Sequence, residues 1–181
     1  VLDVETPEED DAALEQRNTA MLASFAEALK ALAVARREEG SRLAAVLNAQ
    51  MARIDALAAA ARDNPARTVD AIRARLAEQV ARLMDTGAEF DRDRLHQEAM
   101  LLATRADIQE ELDRLFSHVE AARNLLRSGD AIGRKFDFLA QEFNREANTL
   151  CSKAVDRSLT AIGLDLKTVI DQMREQVQNI E

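Results

Sequence analysis

Apolar residues recur along this chain at spacings of three, four and seven, and no stretch shows the strict alternation typical of a β-strand. Good helix formers, mainly Ala, Leu, Glu, Arg and Gln, fill the intervals between them. The pattern predicts helices over residues 9–62, 65–84, 91–127, 133–153 and 152–180. We therefore predict an all-α fold. A long antiparallel helical arm of coiled-coil character, residues 1–88, would precede a compact C-terminal helical domain, residues 89–181.

Two local signals subdivide the arm. Asn64 followed by Pro65 matches a helix N-cap with proline at the first helical position, so a new helix is expected to start there. Gly40 beside Ser41 could bend the first helix but need not end it. The arm carries no arrangement of reactive groups, and we predict a structural role for it.

The stretch from residue 133 to residue 153 has the most distinctive side chains. Wound at about 100° per residue, it places these on one apolar arc: Phe136, Leu139, Ala140, Phe143, Ala147, Leu150 and Cys151. The opposite face carries Arg134, Asp137, Gln141, Asn144, Arg145, Asn148 and Ser152. Asn, Asp and Ser are poorer helix formers than Glu or Lys, so their use here indicates that their hydrogen-bonding groups are needed.

That polar face suits a nucleic acid. Its cations can meet phosphates, and its amides can meet phosphate, ribose or base edges. The predicted RNA-binding residues are Arg134, Lys135, Asp137, Gln141, Asn144, Arg145, Asn148 and Lys153. Phe138 lies on this side and could stack on an unpaired base or pack against a neighbouring helix or subunit. The competing interpretation of the whole face is a buried hydrogen-bond network at an interface.

Titratable groups are concentrated in the preceding helix. Wound as one helix over residues 91–127, it brings His96, Asp107 and His118 onto one face with Glu111 beside them. Carboxylates and histidines can hold Mg²⁺ or Mn²⁺, and histidine can exchange protons near neutral pH. A solvated surface with local ion pairs explains the same spacing.

Two charged residues of the same helix, Glu98 and Arg105, project into its apolar arc. An unpaired charge buried there would cost several kcal/mol. We therefore expect each of them either to have a partner or to line a pocket.

Composition narrows the classes of function. The net charge of −9 disfavours nonspecific polyanion binding by the whole chain, but residues 123–157 carry seven basic and five acidic side chains. The single cysteine, Cys151, excludes a disulfide framework and is expected to be a buried structural thiol.

No apolar run is long enough to span a membrane and no signal peptide opens the chain, which predicts a cytoplasmic protein without a membrane partner. Because the chain starts at Val1 in a linker-like stretch, we expect an N-terminal portion to precede it.

No P-loop, GxGxxG, HExxH, paired CxxC or GxSxG motif is present. Three strings nevertheless carry a specific resemblance: RLHQEAMLLATRADIQEELDRLFSHVEAARNLL, GRKFDFLAQEFNREANTLCSK and the terminal MREQVQNIE. Over about residues 91–181 the chain closely resembles the C-terminal domain of the YicC/YloC-type endoribonucleases. Family motif positions are matched at His96, Glu98, Asp107, Glu111, Arg134, Lys135, Asp137, Gln141, Glu142, Asn144, Arg145, Glu146, Asn148 and Lys153. The family usually has Leu or Met at Phe143 and a small residue at Cys151.

The resemblance implies a metal-dependent endoribonuclease that acts in RNA turnover and assembles as a homo-oligomeric ring, a hexamer, with other RNA-decay proteins as candidate partners. Our leading hypothesis is that Glu98, Asp107 and Glu111 hold the divalent metal, Mn²⁺ or Mg²⁺. His96, Glu98 and His118 are the predicted catalytic residues, and a histidine would assist proton transfer. The alternatives are a non-catalytic RNA-binding adaptor that presents RNA to another nuclease and a helical oligomerisation module. Family members carry a further N-terminal domain, so this chain by itself is not expected to reproduce their full activity.

Overall fold

The computed structural model describes residues 10–83, 92–128 and 132–178, and these are helical almost throughout, with no strand among them. The all-α class predicted from the sequence is confirmed. The described α-helices are α1 (Asp11–Arg62), α2 (Val69–Leu83), α3 (Arg92–Arg105), α4 (Gln109–Ser128), α5 (Gly133–Lys153) and α6 (Arg157–Val177). None of these helices is long and apolar enough to cross a membrane. The predicted boundary between residues 88 and 89 lies outside the described residues.

The chain divides into two compact units, Val1–Leu43 and Ala44–Glu181. In the first unit, the described residues form one run of α1, and its large apolar side chains from Leu14 to Val34 are exposed. The second unit contains a continuous hydrophobic core. Its largest fully buried side chains are Leu47, Met51, Ile54, Ile108, Leu112, Leu115, Phe136, Phe143, Leu150, Leu166, Ile170 and Met173. The core thus joins the C-terminal part of α1 to α4, α5 and α6, while α2 packs against α3.

The helix predicted over residues 91–127 is broken, and that prediction was wrong. α3 ends at Arg105 and α4 begins at Gln109. The Asp107 carboxylate accepts a hydrogen bond of 3.0 Å from the Gln109 backbone N–H, which satisfies one free donor at the start of α4. Ile108 between them is buried, so the break turns an apolar side chain into the core. His96 lies on α3 and His118 lies on α4, so the two residues do not share one helical face as predicted.

Two further helix starts differ from the prediction. Pro65–Arg67 form a short 3₁₀ helix capped by Asn64, whose side chain accepts from the Ala66 backbone N–H at 2.9 Å, and α2 follows only after extended Thr68. The last helix begins at Arg157 rather than at residue 152. Asp156 caps it through hydrogen bonds from the Ser158 backbone N–H, at 2.7 Å, and hydroxyl, at 2.6 Å. Local side-chain caps therefore set where these helices begin.

Close contact between α5 and α6 depends on one glycine. Gly163 is buried, and a Cβ built there would lie 2.5 Å from Cys151 Sγ and 3.2 Å from a methyl carbon of Leu150. The absent side chain lets the two helices approach closely. This packing fixes the buried face of α5 and so determines which of its side chains face α4 and which face solvent.

Candidate functional site

Ionisable side chains follow one edge of the antiparallel contact between α4 and α5. Glu111 near the start of α4 meets Lys153 at the end of α5. One turn further along α4, Arg114 meets Glu146. The last level contains His118, which lies against Phe143 and close to the two glutamates of α5. The antiparallel arrangement therefore produces three successive polar levels along an otherwise apolar interface.

The first level is a largely buried ion pair. Lys153 Nζ donates to Glu111 Oε1 at 2.8 Å, and the Glu111 side chain is only 6% exposed, against 32% for Lys153. The second oxygen, Glu111 Oε2, is buried and has no hydrogen-bond partner within the described part of the chain. This carboxylate is thus held from one side only, and Lys153 provides its neutralising charge.

Arg114 connects the second level to the surface. It donates to Glu146 Oε1 at 3.3 Å and also contacts Glu110 on its own helix. Its pKa is raised, first by the hydrogen bond to Glu146 and then by the charge of Glu110. Glu146 is 2% exposed, so the guanidinium holds a buried carboxylate in a fixed position and neutralises part of its charge.

At the third level, donor atoms of His118, Glu142 and Glu146 all lie within 4.8 Å of one another. His118 Nε2 is buried and lacks a hydrogen-bond partner among the described residues. The imidazole is oriented by an edge-to-face contact with Phe143, with ring centroids 5.6 Å apart. A histidine that has a buried, unpartnered ring nitrogen and lies close to two carboxylates is a candidate site for a cation.

The donor set suits a divalent metal. One imidazole nitrogen and two carboxylates match the ligands of Mn²⁺, and the oxygens also match Mg²⁺. Adjacent ligands of a six-coordinate ion lie about 3 Å apart, so the side chains would need to close by only about an ångström or two. Three protein ligands would leave positions for water and a phosphate oxygen.

The predicted metal set of Glu98, Asp107 and Glu111 lies elsewhere. Glu98 and His96 are exposed on α3, Asp107 caps α4, and Glu111 is paired with Lys153. Within the described ranges, the one group of three or more metal-ligating side chains with converging donors does not contain them. Arg105 is also exposed, so neither it nor Glu98 carries the burial cost that the single-helix pattern implied.

The outer face of α5 carries most of the predicted RNA-binding residues. Arg134, Lys135, Gln141, Arg145 and Asn148 are exposed, and Asp137 and Asn144 are half-buried. Gln141 donates to Asp137 at 3.0 Å and Asn148 donates to Asn144 at 3.2 Å, so hydrogen bonds along the helix order these groups without burying them. Phe138 is 61% exposed on the same side. Lys153 is set apart, because it serves Glu111.

Glu142 and Glu146 were absent from the predicted metal ligands, although the family motif includes both. A signal existed in the sequence: the two residues are four apart, and Glu146 borders the apolar arc of α5. A glutamate buried at that position either loses its hydration at a cost in free energy or is stabilised by a cationic or hydrogen-bonding partner. Local periodicity could identify the anomaly, but only the packing of α4 supplies His118 and Arg114.

Comparison with known proteins identifies the family of this chain. The family model described as "Endoribonuclease YicC-like, C-terminal" matches residues 61–181. The chain therefore belongs to the YicC-like endoribonuclease family, which confirms the resemblance drawn from the sequence.

Two curated relatives carry the name "Probable endoribonuclease YicC". The one from Haemophilus influenzae is 39% identical over 178 residues, covering 98% of this chain and 60% of the relative. The one from Clostridioides difficile is 40% identical over 113 residues, covering 62% of this chain and 39% of the relative. The chain thus spans less than two thirds of the length of these relatives.

Proposed function

We propose that this chain carries the metal-binding and RNA-binding part of a metal-dependent endoribonuclease that acts in RNA turnover. The observation that carries the proposal is the convergence of His118, Glu142 and Glu146 beside the polar outer face of α5. The family membership supplies the class of reaction, cleavage of RNA phosphodiester bonds.

Each group of the site has a distinct task in this proposal. His118, Glu142 and Glu146 would hold Mn²⁺ or Mg²⁺, and the bound ion would polarise a phosphate oxygen and lower the pKa of a coordinated water. Arg114 keeps Glu146 in place through the 3.3 Å hydrogen bond. The edge-to-face contact with Phe143 limits the rotation of the His118 ring and keeps the ring beside the two carboxylates.

The RNA strand would lie along the exposed stripe of α5. Arg134, Phe138, Gln141, Arg145 and Asn148 follow one another at intervals of three or four residues, which places them in a row on one helical face. The arginines can meet phosphates, and the amides can meet ribose or base edges. The exposed Phe138 ring offers a stacking surface for an unpaired base, which favours single-stranded RNA over a duplex.

The metal assignment can be tested by titrating the purified chain with Mn²⁺, using calorimetry or the loss of the free Mn²⁺ paramagnetic signal. His118→Ala and Glu142→Gln should each weaken binding at least tenfold, because each removes one of three protein ligands. Asp165→Asn, an exposed carboxylate on α6, is the matched control and should leave the affinity unchanged. Equal Mn²⁺ affinity in wild type and His118→Ala would exclude this site. Cleavage of labelled RNA, with and without chelator, is the second readout and should follow metal binding.

The RNA surface has its own experiment. Phe138→Ala should weaken binding of a single-stranded RNA roughly fivefold to a hundredfold, the range expected for loss of one stacked base. Arg134→Met should weaken binding and lower the salt dependence by about one phosphate contact. Arg53→Met, an exposed arginine of α1, is the charge control and should do neither. Unchanged affinity in both α5 variants would place the RNA elsewhere.

A second candidate is a non-catalytic RNA-binding adaptor. One observation favours it: Glu146 and Glu111 already have cationic partners in Arg114 and Lys153, so these levels could be purely structural. RNA binding by nuclease-free protein that neither takes up Mn²⁺ nor cleaves RNA would support the adaptor. His96 and Glu98 stay in the catalytic hypothesis as predictions, to be tested in the same cleavage assay.

A further inference from the structure

Phe138 is the one phenylalanine of α5 that the helix presents to solvent. The other two, Phe136 and Phe143, are fully buried, whereas Phe138 is 61% exposed. Within the described ranges, no aromatic ring or guanidinium packs on the Phe138 ring. Its π-face is therefore available to a planar ligand.

Phe138 lies one helical turn from the candidate metal site. Glu142 follows it by four residues, so the two side chains leave α5 about 40° apart in direction and about 6 Å apart along the axis. The Glu142 side chain is 27% exposed, against 2% for Glu146, so Glu142 is the carboxylate of the site that a ligand can reach. The exposed ring and the accessible carboxylate thus lie on the same side of α5.

A cation follows on the other side of Glu142. Arg145 lies three residues further along α5, only about 20° from the direction of Phe138, and its side chain is 68% exposed. Its Nη1 lies 4.0 Å from Glu142 Oε2, which places the guanidinium beside the site. Phe138, Glu142 and Arg145 therefore form a row of ring, carboxylate and guanidinium along about 10 Å of helix.

This row matches the repeat of an RNA strand. Each base is joined through its ribose to the phosphates on either side of it, so a base stacked about 6 Å from a phosphate belongs to a nucleotide that adjoins that phosphate. A base two or more nucleotides away would require the strand to fold back on itself. With a phosphate beside Glu142, the Phe138 ring can stack on the base of an adjoining nucleotide, and Arg145 can meet the next phosphate on the other side.

The chemistry of the ring indicates which bases it favours. A phenyl ring has no hydrogen-bonding groups, so it accepts the π-face of any base and discriminates only by stacking strength. The two-ring purines cover more of the phenyl face than the one-ring pyrimidines do. Phe138 should therefore favour adenine and guanine.

We propose that Phe138 stacks on an unpaired purine whose nucleotide adjoins the cleaved phosphodiester bond, and that this contact sets where the RNA is cut. The proposal rests on the proposed function, since it takes the reacting phosphate to lie at His118, Glu142 and Glu146. It deepens that function by defining the substrate as single-stranded RNA with a purine at the cut, and by making Phe138 a specificity-determining residue.

A binding experiment without added metal tests the base contact separately from cleavage. Fluorescence anisotropy compares two 2′-O-methyl hexanucleotides, one of uridines only and one with a central adenosine. The wild type should bind the second about threefold more tightly or better, Phe138→Ala should bind both equally, and Phe138→Trp should keep the preference. Leu164→Ala, at an exposed leucine of α6, is the control and should also keep it. Equal binding of both hexanucleotides by the wild type, or a preference that persists in Phe138→Ala, overturns the proposal.

Mapping the cut sites tests the register. An end-labelled oligouridine with isolated adenosines is incubated with the full chain and Mn²⁺, and the fragments are sized. The wild type should cut mainly at bonds that adjoin an adenosine, and Phe138→Ala should cut with little regard to them. Cutting by the wild type at bonds unrelated to the adenosines refutes the register alone. No cutting at all, with the adenine preference in binding intact, refutes the proposed cleavage and the register together.

Discussion

Lys153 is the residue whose replacement should most clearly separate a structural charge from an RNA contact. The sequence alone is compatible with either role, but in the structure the Lys153 ammonium lies 2.8 Å from Glu111 Oε1. Lys153→Met keeps most of the aliphatic length and removes the charge. The Glu111 side chain is 6% exposed and its second oxygen has no partner in the described structure, so the variant would strand a buried carboxylate.

The magnitude follows from that burial. Removing one partner of a fully buried pair costs about 3–5 kcal/mol. Because Lys153 is 32% exposed, water reaches the outer side of this pair, and we expect about 2–3 kcal/mol, discounted for solvent screening. Glu111→Leu with Lys153→Met removes both charges together and should recover most of the loss, to within about 1 kcal/mol of wild type.

Urea unfolding followed by circular dichroism measures these differences through the transition midpoint. Lys135→Met is the matched control, because Lys135 is exposed on the same helix and should change stability by less than about 0.5 kcal/mol. The reasoning is refuted if Lys153→Met costs no more than Lys135→Met. It is refuted equally if the double variant loses the sum of the two single losses, since that would mean that the two side chains do not interact.

Three further outcomes are expected from the packing and the caps. Gly163→Ala should destabilise the protein by about 1–3 kcal/mol in thermal melts, because its new Cβ meets Cys151 Sγ, and the loss should shrink in a Cys151→Ala background. Asp156→Ala should cost about 0.5–2 kcal/mol at pH 7, whereas Asp156→Asn should keep most of the cap. Hydrogen bonds from residue 158 lower the pKa of Asp156 in the folded state, so its contribution is present at neutral pH and the deficit of Asp156→Ala in urea titrations should diminish as the pH falls below about 4. Phe136→Ala should cost about 3–5 kcal/mol, while Phe138→Ala, at an exposed ring, should leave stability almost unchanged and so qualify as a clean RNA-binding variant.

Local signals in the sequence were enough to predict the helical class, the limits of α5 at Gly133 and Lys153, and the division of α5 into buried and polar faces. These properties are local, because helix propensity and a hydrophobic repeat of about 3.6 residues depend only on residues that are close together in the sequence. The GRKFDFLAQEFNREANTLCSK string, together with the string before it and the terminal MREQVQNIE, also sufficed to recognise the family. Such short-range signals do not depend on contacts with side chains of another helix.

Which polar groups contact one another depends on how the helices pack, and the local pattern did not predict it. The hydrogen bond between Arg114 and Glu146 joins positions 32 residues apart, and the pair of Glu111 and Lys153 joins positions 42 apart. Nothing in the local pattern of either helix specifies these partners, because they follow from the antiparallel packing of α4 on α5. The break between α3 and α4, where Asp107 caps α4, likewise removed the single helical face predicted for His96 and His118, and the packing of α4 on α5 brings His118 close to the α5 glutamates.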